Sequence, residues 1–170
     1  SKIREDYSGL VTFILISDLP GYRMKSYGPA PLLNIKKRKL IDYQIKAITE
    51  SFSNPEIVLC VGFESDKINK YIRQSYPDLN IRMVENQLFN QTNSCESLRL
   101  CLNNTNNDKF FNNKHSIDAL RKIISMDNFK RKFVFEALNE LIKVHPKIKT
   151  IYNKYSIYKI NNIKTYRDLR

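Results

Sequence analysis

The 170-residue sequence is short of cysteine, of acidic side chains and of long apolar runs. Its three cysteines, Cys60, Cys95 and Cys101, are odd in number and match no zinc-ligand spacing, which fits a cytosolic-type compartment and speaks against a metal-stapled domain. No apolar run approaches a membrane span, and the N-terminus carries no apolar signal segment. The expectation is therefore a cytoplasmic chain with no membrane partner. Acidic residues number 17 against 29 lysines and arginines, for a net charge of +12. Such a balance invites a nucleic-acid partner, but no RNA- or DNA-binding motif is present and the lysines are spread along the chain. The excess sits in a sequence crowded with lysine, asparagine and isoleucine. That composition suggests an AT-rich genome, such as that of a virus, phage or reduced microbe, and codon bias alone raises the charge. A virion-associated location follows if the source is viral. Attraction to polyanions follows whatever the cause.

What is present is ordinary for a globular domain: 42% hydrophobic and 27% charged residues, in a chain long enough for one real core. Val11 to Ile16 reads as a buried strand, and Glu56 to Val61 and Asn80 to Glu85 as two more. Between them lie helical patterns. Arg38 to Phe52 places Leu40, Ile41, Ile45, Ile48 and Phe52 on one face, and Asp66 to Tyr76 does the same with Ile68, Tyr71 and Ile72 before Pro77. Ser94 to Leu102 turns Leu98, Cys101 and Leu102 inward. Three β-α units in a row predict an α/β fold with a mostly parallel sheet and helices on its faces. Residues 103 to 113 are asparagine-rich and predicted as a loop. Two helices follow, about Ile117 to Met126 and Lys130 to Val144, the second with Phe133, Ala137, Leu138 and Leu141 expected inward. Thr150 to Asn153 and Ser156 to Ile160 read as strands, and a short helix starts near Thr165. Cys60 and Cys101 read as small core residues. His115 and His145 pair with no cysteine or carboxylate at metal or triad spacing and read as surface histidines.

The stretch Leu15 to Ile35, LISDLPGYRMKSYGPAPLLNI, resembles the signature loop of the nucleotidyltransferases that activate sugar 1-phosphates or phosphocholine with a nucleoside triphosphate. There a buried strand runs into L-A-A-G-x-G-x-R-M, and P-K-P-L-L follows. The resemblance continues through Lys39-Leu40-Ile41-Asp42-Tyr43-Gln44-Ile45, through Ile57 to Phe63, and through Val84-Glu85-Asn86 with Gln91 to Leu98. It closes on Tyr155 to Leu169, similar to the "sIyEIDs..Dy..L" ending of the small cytidylyltransferases that activate phosphocholine. Residues 11 to 102 and 155 to 169 are covered. The resemblance implies one Rossmann-like domain over residues 1–170, with a nucleotide-binding half at 11–102, the asparagine-rich loop at 103–114 and a C-terminal half at 115–170. The middle departs from it. The family's "GD" strand, whose aspartate holds the catalytic magnesium, has no counterpart after Leu102, and neither does its acceptor-side β insertion. Either a natural deletion removed them or the sequence is an incomplete one of a longer protein.

Nucleotidyl transfer needs an in-line acceptor, cations on the phosphates and a carboxylate-held magnesium. In the triphosphate loop, Leu19 replaces the first glycine, Pro20 has no N–H to offer, and Asp18 would set a negative charge against the phosphates. Gly21 and Arg23 stay in place and are the phosphate-binding residues that the resemblance implies; a Pro-Gly turn and a solvated arginine are the plain alternatives. Ala30 stands where the P-K-P lysine would be. Lys25, Lys36, Lys37, Arg38 and Lys39 are near in sequence, but KKRK reads as a solvated turn. The carboxylate pair of the closing motif is replaced by Lys159 and Asn161, an ammonium and an amide, which should not hold magnesium. Asn93 and Ser97 are implied as nucleotide contacts, with helix capping by Asn93 or Ser94 as the alternative.

Three functions follow as expectations. The first is a nucleotidyltransferase-like protein without catalysis, needing no cofactor and serving as a binding or structural component. The second is an active enzyme moving a nucleotidyl group from CTP or UTP to phosphocholine or a sugar 1-phosphate. It would use Mg held by substitute carboxylates such as Asp18 with Asp108 or Asp118. The third is a basic nucleic-acid-associated protein. A sheet missing its central strand leaves an edge open, so a homo-oligomer or larger complex is expected unless Thr150 to Asn153 fills the gap.

Overall fold

The computed structural model describes residues 11–20, 24–104, 114–144 and 163–169. The β-branched and aromatic run VTFILI forms β1 (Val11–Ile16). A tight hairpin follows, β2 (Asn34–Ile35) against β3 (Arg38–Lys39), with the exposed Lys36 and Lys37 as its turn. Lys36 sits at φ 53, and of the KKRK segment only Lys36 and Lys37 form the solvated turn. Helix α1 (Leu40–Ser51) leads to β4 (Pro55–Val61), α2 (Ser65–Ser75) to β5 (Ile81–Glu85), and α3 (Ser94–Asn103) comes next. Beyond residue 113 lie α4 (Lys114–Ile124), α5 (Val134–Val144) and α6 (Ile163–Leu169).

The sheet is parallel, in the order β1-β4-β5, with Leu15 opposite Leu59 and Leu59 opposite Met83. β4 is buried from Glu56 to Val61, as the middle strand of a sheet covered on both faces must be. Alternation divides its side chains. Ile57, Leu59 and Val61 pack with Ile41, Ile45 and Ile48 of α1 and Ile68 and Ile72 of α2. Val58 and Cys60 face the other way, onto Val84 and the α3 residue Cys101. Cys95 and Leu102 of α3 carry that second layer outward to Ile124, Phe129 and Ala137. Each fully buried isoleucine or leucine contributes roughly 1.5–3 kcal/mol. Among the described residues no strand lies on the second edge of β1. The expected strands Thr150–Asn153 and Ser156–Ile160 lie outside the described residues, as do Lys159, Asn161, Asp108 and His145.

Two expectations are corrected. Arg38 and Lys39 are not helical but form β3, because Lys39 is the extended residue that caps α1. The helix expected from Lys130 begins at Val134, after a 3-10 turn at Asp127–Phe129. On it Ala137 and Leu141 are buried as expected, whereas Phe133 and Leu138 are exposed. Ala137 meets Cys95, Ile124 and Phe129, and Phe133 and Leu138 project away from that contact.

Asp42 ties the α1–α2 layer together. Its Oδ2 accepts from the Lys39 backbone N–H at 3.0 Å, closing the start of α1. The Tyr71 hydroxyl donates to the same carboxylate at 2.9 Å and the Tyr76 hydroxyl at 2.5 Å. Burial first, then the bond to Asp42, pushes both phenols above their ordinary range. Asp42→Ala removes one cap and strands two phenols, so we expect a loss of about 2 kcal/mol in urea unfolding. A midpoint unchanged within error would show that the three bonds contribute nothing net.

Candidate functional site

In an open parallel sheet, ligands bind in the crevice outside the carboxyl ends of the strands. Here those ends are laced together. The Ser17 N–H donates to the Cys60 carbonyl at 2.9 Å, the Phe63 N–H to the Asp18 carbonyl at 2.9 Å, and the Asn86 N–H to the Val61 carbonyl at 2.8 Å. The turn after β4 allows no side chain. A Cβ on Gly62 would lie 2.8 Å from the Asp18 carbonyl oxygen and 2.8 Å from Phe89 Cβ. The Phe89 ring meets Phe63 edge-on, with centroids 6.4 Å apart. The first residue of the loop beyond Asp18, Leu19, is 38% exposed.

At the centre is a buried polar network. The Ser97 hydroxyl donates to Asp18 Oδ2 at 2.5 Å, and Asn86 Nδ2 donates to the same oxygen at 3.0 Å. Asn86 Nδ2 also reaches Thr92 Oγ1 at 3.0 Å, and Asn86 Oδ1 accepts from the Leu88 N–H at 3.0 Å. Asp18, Asn86 and Ser97 are all nearly inaccessible to solvent. Asp18 therefore does not face an incoming phosphate, as its place in the loop suggested, but is turned inward. It joins the ends of β1 and β5 to α3, using partners 68 and 79 residues away. Cys60 lies just beneath. Its thiol is pushed far above the ordinary range by its bond to the Cys101 thiol, by burial and by Asp18, and Cys95 is pushed up by burial. All three cysteines are buried and unreactive in this form.

The start of α3 forms one wall. Asn93 caps the helix, its side-chain oxygen accepting from the Ser94 N–H at 3.0 Å. Ser94 Oγ accepts from the Val134 N–H at 3.0 Å, and the Asn93 and Cys95 N–H groups donate to the carbonyls of Lys130 and Lys132. The mouth and the N-terminus of α5 are thus fastened to one turn. Glu96 is gripped by Arg99 at 2.6 and 2.8 Å, and that contact holds its carboxyl below the usual range despite burial.

The sequence-based site is brought together in part. Asp18, Asn93 and Ser97 converge on one crevice, with Ser97 wholly buried. Gly21 and Arg23 lie outside the described residues. Ala30 is half-buried and packs on Met24, Leu33 and Tyr166. Asp118 is exposed on α4. Asn86 and Thr92, central to the network, were not singled out. Their signal was the Val84-Glu85-Asn86 segment at a strand end, where polar residues turn inward to tie loops.

Among the described residues, no group of three His, Cys, Asp or Glu is placed to hold a metal ion. Of the carboxylates near the mouth, Asp18 is engaged by Asn86 and Ser97, Glu96 by Arg99 and Glu85 by the Ser65 hydroxyl at 2.9 Å, while Glu64 pairs with Lys67 through Oε1 and its buried Oε2 has no hydrogen-bond partner.

A parallel sheet between helix layers, with its crevice at the strand ends, defines a Rossmann-like α/β fold of the kind nucleotidyltransferases use. The chain is similar in fold to the solved CTP:phosphocholine cytidylyltransferase of Streptococcus pneumoniae, with a TM-score of 0.68 at 16% sequence identity over 94% of this chain and 97% of that one. No protein-family model matches the sequence, and neither does any curated protein. No helix among the described residues is long and apolar enough to cross a membrane.

Proposed function

We propose that this protein uses a nucleotidyltransferase fold for binding or structural support and does not catalyse nucleotidyl transfer. The observation that carries this reading is the inward turn of Asp18 onto Asn86 and Ser97. The loop after β1 is braced by the protein's own groups. It meets solvent with a leucine and a proline, where the resemblance calls for glycines whose N–H groups cradle phosphates. Ala30 in place of the P-K-P lysine removes a further phosphate partner. Likeness to a CTP:phosphocholine cytidylyltransferase favours a second reading, magnesium-dependent cytidylyl transfer from CTP to phosphocholine.

Titration calorimetry with CTP and with UTP, each with and without magnesium, separates the two. The expected result is no heat of binding up to about 1 mM nucleotide, the weak end of specific affinity, and no product on adding phosphocholine. Magnesium-dependent binding near the micromolar range, with release of pyrophosphate, would establish the enzyme instead.

A further inference from the structure

Between α1, α2 and the turn after α2 lies a cavity of about 620 Å³ that shares no residue with the mouth of the sheet. Ile45 and Leu79 give it an apolar lining, Tyr71 and Tyr76 an aromatic wall, and Thr49 and Ser75 free-standing hydroxyls at its rim. That is the size and make-up of a small-molecule pocket. Arg38 lines one end, and Arg38 belongs to the β2–β3 hairpin, so cavity and hairpin form one surface. The hairpin turns on Lys36 and Lys37. Both lysines and Arg38 are exposed, and among the described residues none of the three has an ion-pair partner. Lys36 also holds the left-handed conformation, φ 53, that a two-residue hairpin turn ordinarily gives to glycine or asparagine. Bulky residues kept in such a conformation cluster at ligand clamps.

We propose that the cavity and the hairpin together bind single-stranded nucleic acid, with one unpaired base in the cavity and the adjoining phosphates on Lys36, Lys37 and Arg38. The distribution of charge selects this ligand. In the cavity Arg38 and Lys46 are offset by Asp42 and Asp78, and Glu50 lies 3.6 Å from Lys46. Lys39 is folded back onto the Leu32 carbonyl and Asn34. The cavity end therefore has no excess of positive charge, whereas the hairpin tip carries two uncompensated lysines. A nucleotide strand matches that division, with its charge on the phosphates and a neutral planar base between them. An acidic peptide or an anionic lipid surface would lay negative charge over Asp42 and Asp78 as well. The hairpin also exposes no apolar side chain to enter a bilayer. A second copy brings the same net charge of +12 to the lysines. Stacking on the tyrosine wall needs a base out of its pair, which selects the single strand over the duplex. Asp42 braces that wall, since the Tyr71 and Tyr76 hydroxyls both donate to it. The surface is separate from the mouth, so the proposal stands whether or not the mouth binds a nucleotide.

The test uses the full chain and a fluorescein-labelled DNA strand of mixed sequence, about 20 nucleotides long, alone and annealed to its complement. The single strand is expected to bind in the micromolar range, roughly threefold or more tighter than the duplex. Log K should fall against log salt with a slope of about −2, as three phosphate contacts require. The double variant K36E/K37E should weaken binding by roughly tenfold or more and bring the slope to about −0.7. K122E/R131E makes the same change of net charge at exposed sites elsewhere and should weaken binding by no more than about threefold, because salt screens distant charges. Ser75→Trp fills the cavity and should abolish the preference for the single strand. All these positions are exposed, so melting temperatures should stay within about 2 °C of the parent. Equal losses from the two charge reversals, or a duplex bound as tightly as the single strand, would leave only the attraction of a basic chain for any polyanion and overturn the proposal. Absence of binding overturns it, as does a preference for the single strand that survives in Ser75→Trp. Polyglutamate or phosphatidylserine vesicles bound more tightly than the strand, and released by K36E/K37E, would assign the hairpin to an acidic protein or to lipid and also overturn it.

Discussion

Gly62→Ala is expected to lower the melting temperature by roughly 6 °C, although alanine ordinarily stabilises a chain by restricting its unfolded state. The added Cβ would meet the Asp18 carbonyl oxygen and the Phe89 side chain, each at 2.8 Å. Neither neighbour yields cheaply. The Asp18 oxygen already accepts from the Phe63 N–H at 2.9 Å, and the Phe89 ring is set against Phe63. Overpacking of this kind costs about 1–3 kcal/mol, and at the upper end it outweighs the gain of at most about 1 kcal/mol from the unfolded state. Thermal unfolding by circular dichroism reads the change directly. The double variant G62A/F89A should recover nothing net, since alanine at position 89 keeps the Cβ contact at 2.8 Å, the carbonyl contact also stays, and loss of the ring opens a cavity. An unchanged or raised melting temperature in Gly62→Ala would mean that the strand ends are slack and not laced.

The layers of this fold were legible because period and length agreed with the burial they predicted. Residues 56 to 61 could only be a strand covered on both faces, and Ile41, Ile45 and Ile48 could only be one side of a helix. The nucleotidyltransferase-like fold followed from ordered motifs and is supported by structural similarity at 16% identity. Helix α5 was harder for a definite reason. With Val134, Phe135, Ala137, Leu138, Leu141 and Ile142 all apolar, two stripes competed for the core. Periodicity does not say which one wins, so Phe133 and Leu138 were placed inward when only Ala137 and Leu141 are. Arg38 and Lys39 were taken into α1 because apolar spacing marks a helix face but not its capping residue. Asp18 was misread more deeply. An aspartate after a strand, in a loop that resembles a phosphate cradle, belongs by local sequence at the mouth. Its hydrogen-bond partners lie 68 and 79 residues away, and no neighbouring residue announces them. Asn93, whose capping role is written within one helical turn, was readable from that turn alone.

The second large effect is expected at Asp18 itself, and it discriminates a brace from a ligand-facing residue. Asp18→Ala should destabilise the protein by about 3 kcal/mol, because hydrogen bonds to a charged group are worth roughly 1.5–3 kcal/mol each and removing the carboxylate leaves the buried Ser97 hydroxyl and Asn86 amide short of an acceptor. Part of that is returned, since the buried carboxylate no longer has to be desolvated. For a chain of this size the melting temperature should fall by roughly 6–12 °C. Asp18→Asn keeps an acceptor oxygen for one of the two donors and should lose about 1 kcal/mol. Ser97→Ala, which deletes the shorter of the two contacts, should fall between them, and the double variant D18A/S97A should be less destabilised than the two single losses added together. That shortfall is the signature of residues acting in one network. If Asp18 instead faced an incoming phosphate, it would gain nothing from Ser97 or Asn86. Asp18→Ala would then leave stability untouched, and removing the repulsive charge would tighten nucleotide binding. A brace moves the melting curve, and a ligand-facing carboxylate moves the calorimetric titration with CTP. The inward geometry of Asp18 requires the first.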